Sequence, residues 1–216
     1  HDARRWLLAQ GVNDDQLQQL EGLLERGSLA LRPFFLKQLA DPELVGRLSD
    51  VNEGSALNFL IEAMIARESS KFGGEVDEAL SEIEREQFVR TMMYEVARDM
   101  ADNQTVSISE STLTWIVELA LPKSVSQPVE FMLKNRAPNL GFLTVDSRPR
   151  YLRFYHEKFL EYFLARVIVS TISRGEVPKF VARNIFGTSF LETLASVLEA
   201  STETERVAFH TGAERL

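Results

Sequence analysis

One stretch of this sequence combines residue types that could do chemistry at a spacing that would position them. It reads Phe154-Tyr155-His156-Glu157-Lys158-Phe159-Leu160-Glu161-Tyr162-Phe163-Leu164-Ala165, and His156 falls where a β-prone run gives way to a helical one. A helix N-terminus carries N–H groups without intrahelical partners and a partial positive charge, which makes it a natural anion site. A neutral imidazole there can donate one hydrogen bond to a phosphate without burying a cation. Phe159 and Phe163, at i and i+4, would anchor the helix in a core and hold His156 in place. The competing reading is a core histidine that only caps its own hairpin.

The remaining chemistry-bearing residues converge less. Lys134, Arg136, Arg148, Arg150 and Arg153 form a basic cluster, a candidate for contact with nucleic acid or with a neighbouring domain. Glu75, Asp77, Glu78, Glu82, Glu84 and Glu86 make an acidic run, expected to be a solvated helix face or linker because nothing convergent accompanies it. The three histidines (His1, His156, His210) are too few and too scattered for a histidine metal cage, and there is no cysteine. No Gly-x-x-x-x-Gly-Lys-Ser/Thr phosphate loop occurs, and Gly73-Gly74 has no Lys-Ser after it. No apolar strand ends in paired acids for Mg²⁺, and no Gly-x-Ser-x-Gly elbow appears. The chain by itself is therefore expected not to be an enzyme.

The elements that would position these residues are almost all helical. A short amphipathic piece at Asp2–Gln10 ends at Gly11, and Asn13 or Asp14 can cap a helix with Leu17, Leu20, Leu23 and Leu24 at helical spacing before Gly27. Pro33 suits the first turn of a helix carrying Phe34, Phe35, Leu36 and Leu39, and Asp41-Pro42 breaks it. Leu57, Leu60, Ile61, Met64 and Ile65 form an apolar stripe that continues through Arg67-Glu68. That Arg-Glu pair reads as a solvated surface pair, worth under about 1 kcal/mol. Ser81–Asp99 reads as one helix, Glu110–Leu121 as a second with Ser109 as its cap, and Pro128 opens a third. Residues 141–145 and 151–155 are then β-prone runs around a five-residue turn, which suits a hairpin. Three helices followed by a hairpin is the order of a winged helix. Glu157–Ile172 is a strongly apolar helix, Pro178–Phe186 and Ser189–Ala200 read as two more, and Ser201–Leu216 reads as polar and either frayed or cut from a continuing helical array.

The predicted fold is thus mainly α: a helical domain over residues 1–75, a winged-helix domain with a short β-hairpin over 80–172, and the start of a further helical segment over 173–216. With 24 basic and 32 acidic residues the net charge is −8, and 44% of residues are hydrophobic. Such a composition excludes wholesale disorder and argues against a nucleic-acid coat or an anionic-membrane binder. No run approaches the roughly 18 apolar residues of a membrane helix. The absence of cysteine and of a signal segment leads to the expectation of a cytoplasmic, reducing setting. His1 in place of Met reads as processing or excision from a longer protein.

The run from Phe154 to Ala165 resembles the Phe-x-His-x-Ser-Phe-x-Glu-Tyr-Phe-x-Ala signature that closes the winged-helix domain of NACHT-type STAND NTPases, a class that includes Nod-like receptors of innate immunity and bacterial antiphage sensors. Phe154, His156, Phe159, Glu161, Tyr162, Phe163 and Ala165 match. Lys158 departs, standing where the family usually has serine, and is expected to face outward. Arg32-Pro33-Phe34-Phe35-Leu36 is similar to the motif of the family's first helical domain, whose proline packs on adenine; Leu60 to Glu68 resembles its following helix. The resemblance implies that His156 contacts the β-phosphate of ADP and Pro33 the adenine. It further implies that a nucleotide-binding domain supplying the Mg²⁺ site lies upstream, that a C-terminal sensor region follows, and that ADP/ATP exchange controls self-association of the full protein. The alternative is a DNA-binding winged-helix regulator using the basic wing, and a blander one is a helical scaffold that binds another protein.

Overall fold

A computed structural model describes residues 2–21, 24, 31, 33–40, 53–122, 125–183 and 186–216. Leu23, Gly27, Arg32 and Asp41-Pro42 lie outside the described residues, as does His1. Three short helices come first: α1 (Asp2–Ala9), α2 (Asp14–Gln19) and α3 (Pro33–Leu39). Asn13 and Gln16 form a capping box on α2, each side chain accepting the other's backbone N–H, which satisfies two otherwise orphaned donors. Leu7, Val12, Leu17, Leu20, Phe35 and Leu39 are buried in this group. Next, α4 (Glu53–Ser69) buries Leu60, Ile61, Met64 and Ile65, the predicted stripe. Gly73 and Gly74, both at positive φ, turn the chain into the short α5 (Gly74–Ala79).

The winged-helix order follows. Ser81 and Glu84 form the capping box of α6 (Glu82–Asp102), whose apolar face from Phe88 to Met100 is fully buried. Strand β1 (Ile108–Ser109) leads directly into α7 (Glu110–Ala120), capped by the Ser109 hydroxyl at the Thr112 N–H. Then come α8 (Gln127–Arg136), a 3₁₀ turn (Ala137–Asn139), β2 (Leu143–Val145) and β3 (Tyr151–Phe154). The sheet is antiparallel in the order β1-β3-β2, with Ile108 opposite Leu152 and Leu143 opposite Phe154. Sequence reading predicted the hairpin but not β1. A two-residue strand has no alternation to read, and it exists only because β3 offers it an edge.

Three helices complete the chain: α9 (Glu157–Ser173), α10 (Thr188–Ala200) and α11 (Glu203–Ala213). Helix α9 buries ten residues, more than one apolar stripe, because α6, α10 and α11 all pack on it. Helix α10 also packs on α4, so one contiguous hydrophobic core extends from Leu7 to Val197. Two expectations need correction here. Among the described residues of 178–186 the structure forms a 3₁₀ turn, Lys179–Ala182, in place of a longer helix. Residues 201–216 are not frayed: Thr202 and Glu205 make a capping box, and Gly212 of α11 is packed against the backbone of Ile172. The architecture is mainly α with a small three-stranded antiparallel sheet. No helix among the described residues is long and apolar enough to cross a membrane.

Candidate functional site

His156 sits at the junction of β3 and α9 as the N-cap residue, in extended backbone (φ −139°, ψ 140°). Its Nδ1 accepts the Lys158 N–H at 3.1 Å, and its carbonyl accepts the Phe159 N–H at 3.0 Å. With Nδ1 acting as acceptor, the neutral ring carries its proton on Nε2 and is a donor there. The ring is half-buried and meets Phe159 edge-on at 6.3 Å between centroids. Phe159 in turn packs on Phe142 at 5.1 Å and on Phe35 of α3 at 6.4 Å. Pro33 is the first residue of α3 and is exposed, two positions before Phe35. Phe159 is therefore the shared neighbour through which the segments bearing His156 and Pro33 are held.

Lys158 does not face outward. Its ammonium donates to Glu161 Oε2 (2.7 Å), Ser189 Oγ (2.8 Å) and Thr193 Oγ1 (3.1 Å), fastening the first turn of α9 to α10. Glu161 is buried and also accepts from the hydroxyls of Ser189 (2.8 Å) and Thr193 (2.9 Å). A serine at 158 has too short a side chain to reach these partners, so the departure from the signature coincides with a distinct α9–α10 clamp. Tyr162, fully buried, has Asn58 Oδ1 and Glu62 Oε1 at 2.8 and 3.0 Å from its hydroxyl, which also accepts from Arg166 Nε at 3.3 Å. Glu62 is paired with Arg90, which also binds Glu86 at 2.9 Å. This network joins α4, α6 and α9. Burial, above all, pushes the Tyr162 phenol's ionisation well above its ordinary value.

The Arg67-Glu68 pair is not a solvated one. Glu68 is 0% exposed and accepts from Arg67 Nη1 (2.9 Å), Lys71 Nζ (2.5 Å) and the backbone N–H of Gly141 (3.0 Å). It thus ties α4 to the turn that precedes the hairpin. Sequence reading missed this because Glu68 follows a charged neighbour and its cover comes from a residue 73 positions away.

The basic cluster is not a common surface charge. Lys134 is bound by Glu118 (2.5 Å) and Glu130 (2.6 Å), whose hydrogen bonds raise its pKa. Arg148 lies over the Tyr151 ring at 4.2 Å and contacts Asp146 and the Ser107 hydroxyl. Hydrogen bonds from Ser107 and then Ser147 hold the Asp146 carboxyl far below its usual range. Arg136, Arg150 and Arg153 are exposed and make no ion pair among the described residues. Helix α8, in the recognition-helix position, exposes Phe131 (67%) and buries Val129 and Leu133. In the acidic run, Glu84 caps α6, Asp77 lies 3.3 Å from Arg85 and Glu86 pairs with Arg90. No group of three potential metal ligands assembles among the described residues. Comparison with known proteins finds no matching family model, curated protein or solved structure.

Proposed function

We propose that this chain is the regulatory lid of a NACHT-type STAND NTPase, coupling the ADP/ATP state of an upstream nucleotide-binding domain to self-association in immune or antiphage signalling. The observation that supports this reading best is the setting of His156: an Nε2–H donor at the head of the most buried helix, sharing Phe159 with the segment that bears Pro33. Bound ADP supplies a β-phosphate as hydrogen-bond acceptor and an adenine as a stacking surface. The donor set fits: His156 contributes one donor at a helix N-terminus and Pro33 an exposed apolar ring of fixed φ. The phosphate loop and Mg²⁺ ligands belong to the upstream domain on this reading, so the isolated chain has no ATP hydrolysis of its own.

Control of self-association requires that the contacts made by His156 differ between two arrangements of the lid. In the parent protein with its nucleotide-binding domain, His156→Ala is expected to lower ADP retention at least tenfold and raise basal oligomerisation. Unchanged ADP affinity together with unchanged oligomerisation overturns the proposal. The rival DNA reading is weaker because Lys134 is neutralised by two glutamates and the α8 face offers Phe131 where base-reading polar side chains are needed.

A further inference from the structure

A cleft of about 430 Å³ opens between α6, α9 and α11, away from His156. Its polar lining comprises Tyr94, Arg166, Ser170, Ser173, Arg174, Thr204 and Glu205, with Val169 and Ala208 as apolar wall. Arg166, Ser170 and Ser173 fall at i, i+4 and i+7 on one face of α9, and Arg174 at its C-cap continues that face. Both guanidinium groups are held by neutral oxygens. Arg166 donates to the Tyr162 hydroxyl (3.3 Å), Asn58 Oδ1 (3.2 Å) and Ser201 Oγ (3.4 Å). Arg174 donates to Ser170 Oγ (2.8 Å) and Thr171 Oγ1 (3.5 Å). Among the described residues neither makes an ion pair.

The carboxylates closest to the cleft, Glu62 and Glu205, act on Arg166 only through their charge, their hydrogen bonds being made elsewhere. Glu62 is held by Arg90. Glu205 lines the cleft, but its Oε2 accepts the Thr202 backbone N–H at 2.8 Å and the Thr202 hydroxyl at 3.0 Å. Two arginines against one glutamate leave the lining with a net positive charge. In a chain whose acids outnumber its bases 32 to 24, two arginines that hydrogen-bond no carboxylate and face one cleft with a net positive lining suit an anion from outside. Paired guanidinium forks with several hydroxyl donors suit the multiple oxygens of a phosphoryl group better than a single carboxylate. The volume is that of a small-molecule site.

We propose that the α6–α9–α11 cleft is a binding site for a small phosphoryl ligand, either inorganic phosphate or a low-molecular-weight phosphate monoester, held by Arg166 and Arg174. The site is independent of the nucleotide reading of His156.

The test is a titration of the chain with inorganic phosphate and, separately, with a sugar monophosphate, each at an ionic strength fixed with sodium chloride. Binding is followed by calorimetry and by the thermal midpoint. Saturable stabilisation by either ligand is expected, weakened at least tenfold in Arg174→Gln, whose side chain is exposed and outside the core. Arg206→Gln, on α11, outside the cleft lining and paired with Glu203, is expected to bind as the parent does. A stronger response to one ligand supports the proposal and separates a free ion from an ester. Stabilisation no greater than that of chloride, or equal affinity in the parent and Arg174→Gln, overturns it. If Arg174→Gln does not fold, Arg174→Lys with its single point charge replaces it, and undiminished affinity there counts against the site in the same way.

Discussion

The carboxylate of Glu68 accepts the backbone N–H of Gly141 at 3.0 Å, and a Cβ on Gly141 would lie 2.9 Å from the same carboxylate's Oε1 and 3.0 Å from Met64 Cε. The absence of a side chain at 141 is what lets α4 approach the turn before the hairpin closely enough for the bond to form. Gly141→Ala is therefore expected to cost about 1–3 kcal/mol by overpacking. Glu68→Ala, which leaves a buried N–H unpaired, is expected to cost about as much. Since removal of the Glu68 side chain relieves part of the clash, the double variant should lose less than the sum. Urea unfolding of the four proteins measures the coupling.

Gly212 makes a closer approach still. A Cβ there would fall 1.8 Å from the Ile172 carbonyl oxygen, a backbone atom that cannot rotate away. Gly212→Ala is expected to cost more than about 3 kcal/mol or to detach α11 from α9. Gly187→Ala, with nothing within 4 Å, should lose under about 1 kcal/mol, the effect of a poorer cap. Hydrogen exchange over 203–213 distinguishes detachment of α11 from global loss of stability.

Tyr162→Phe removes the hydroxyl at which Asn58, Glu62 and Arg166 meet while leaving the ring in the core. The expected loss is about 1–2 kcal/mol, with the α4–α9 contact weakened first. Burial raises the phenol's pKa, so in the parent protein this tyrosine should stay protonated under alkaline conditions in which exposed tyrosines ionise. Absorbance titration at 295 nm of the parent and the variant tests both statements, the difference between them being the last phenol to ionise.

The acid side of the stability profile should be set by helix caps. Hydrogen bonds from Ser81 hold the Glu84 carboxyl below its ordinary 4.5, and the Thr202 N–H and then its hydroxyl do the same for Glu205. A depressed folded-state pKa means that the native state binds fewer protons than the unfolded chain. The stabilisation is then complete above about pH 4.5 and is lost as pH falls through the lowered values. Asp99 acts in the opposite direction, because burial raises its pKa and its protonation favours the native state. The thermal midpoint is expected to fall from pH 5 to pH 3, and Glu205→Gln should flatten that slope while lowering the midpoint at neutral pH.

Much of the fold was legible along the chain because helices and hairpins leave local, periodic marks. The stripe from Leu57 to Ile65, the Ser109 cap and the β-prone runs around Asp146–Arg150 each depend on neighbours within a few residues. His156 was legible for the same reason: a strand-to-helix switch places an N-cap. What the residue types could not reveal was which charges are covered. Glu68 and Lys158 carry the same charge on an exposed face as in the interior, and their roles arise from Gly141, Ser189 and Thr193, between 31 and 73 positions away. The −8 balance likewise concealed that Arg166 and Arg174 face one cleft with only neutral oxygens as hydrogen-bond partners. Local sequence determined the helices, the hairpin and the capping histidine through short-range sterics and hydrogen bonding. Only the packing of α9 among α4, α6, α10 and α11 decided which polar groups lose water, and that is what turns a charged residue into a clamp or a binding group.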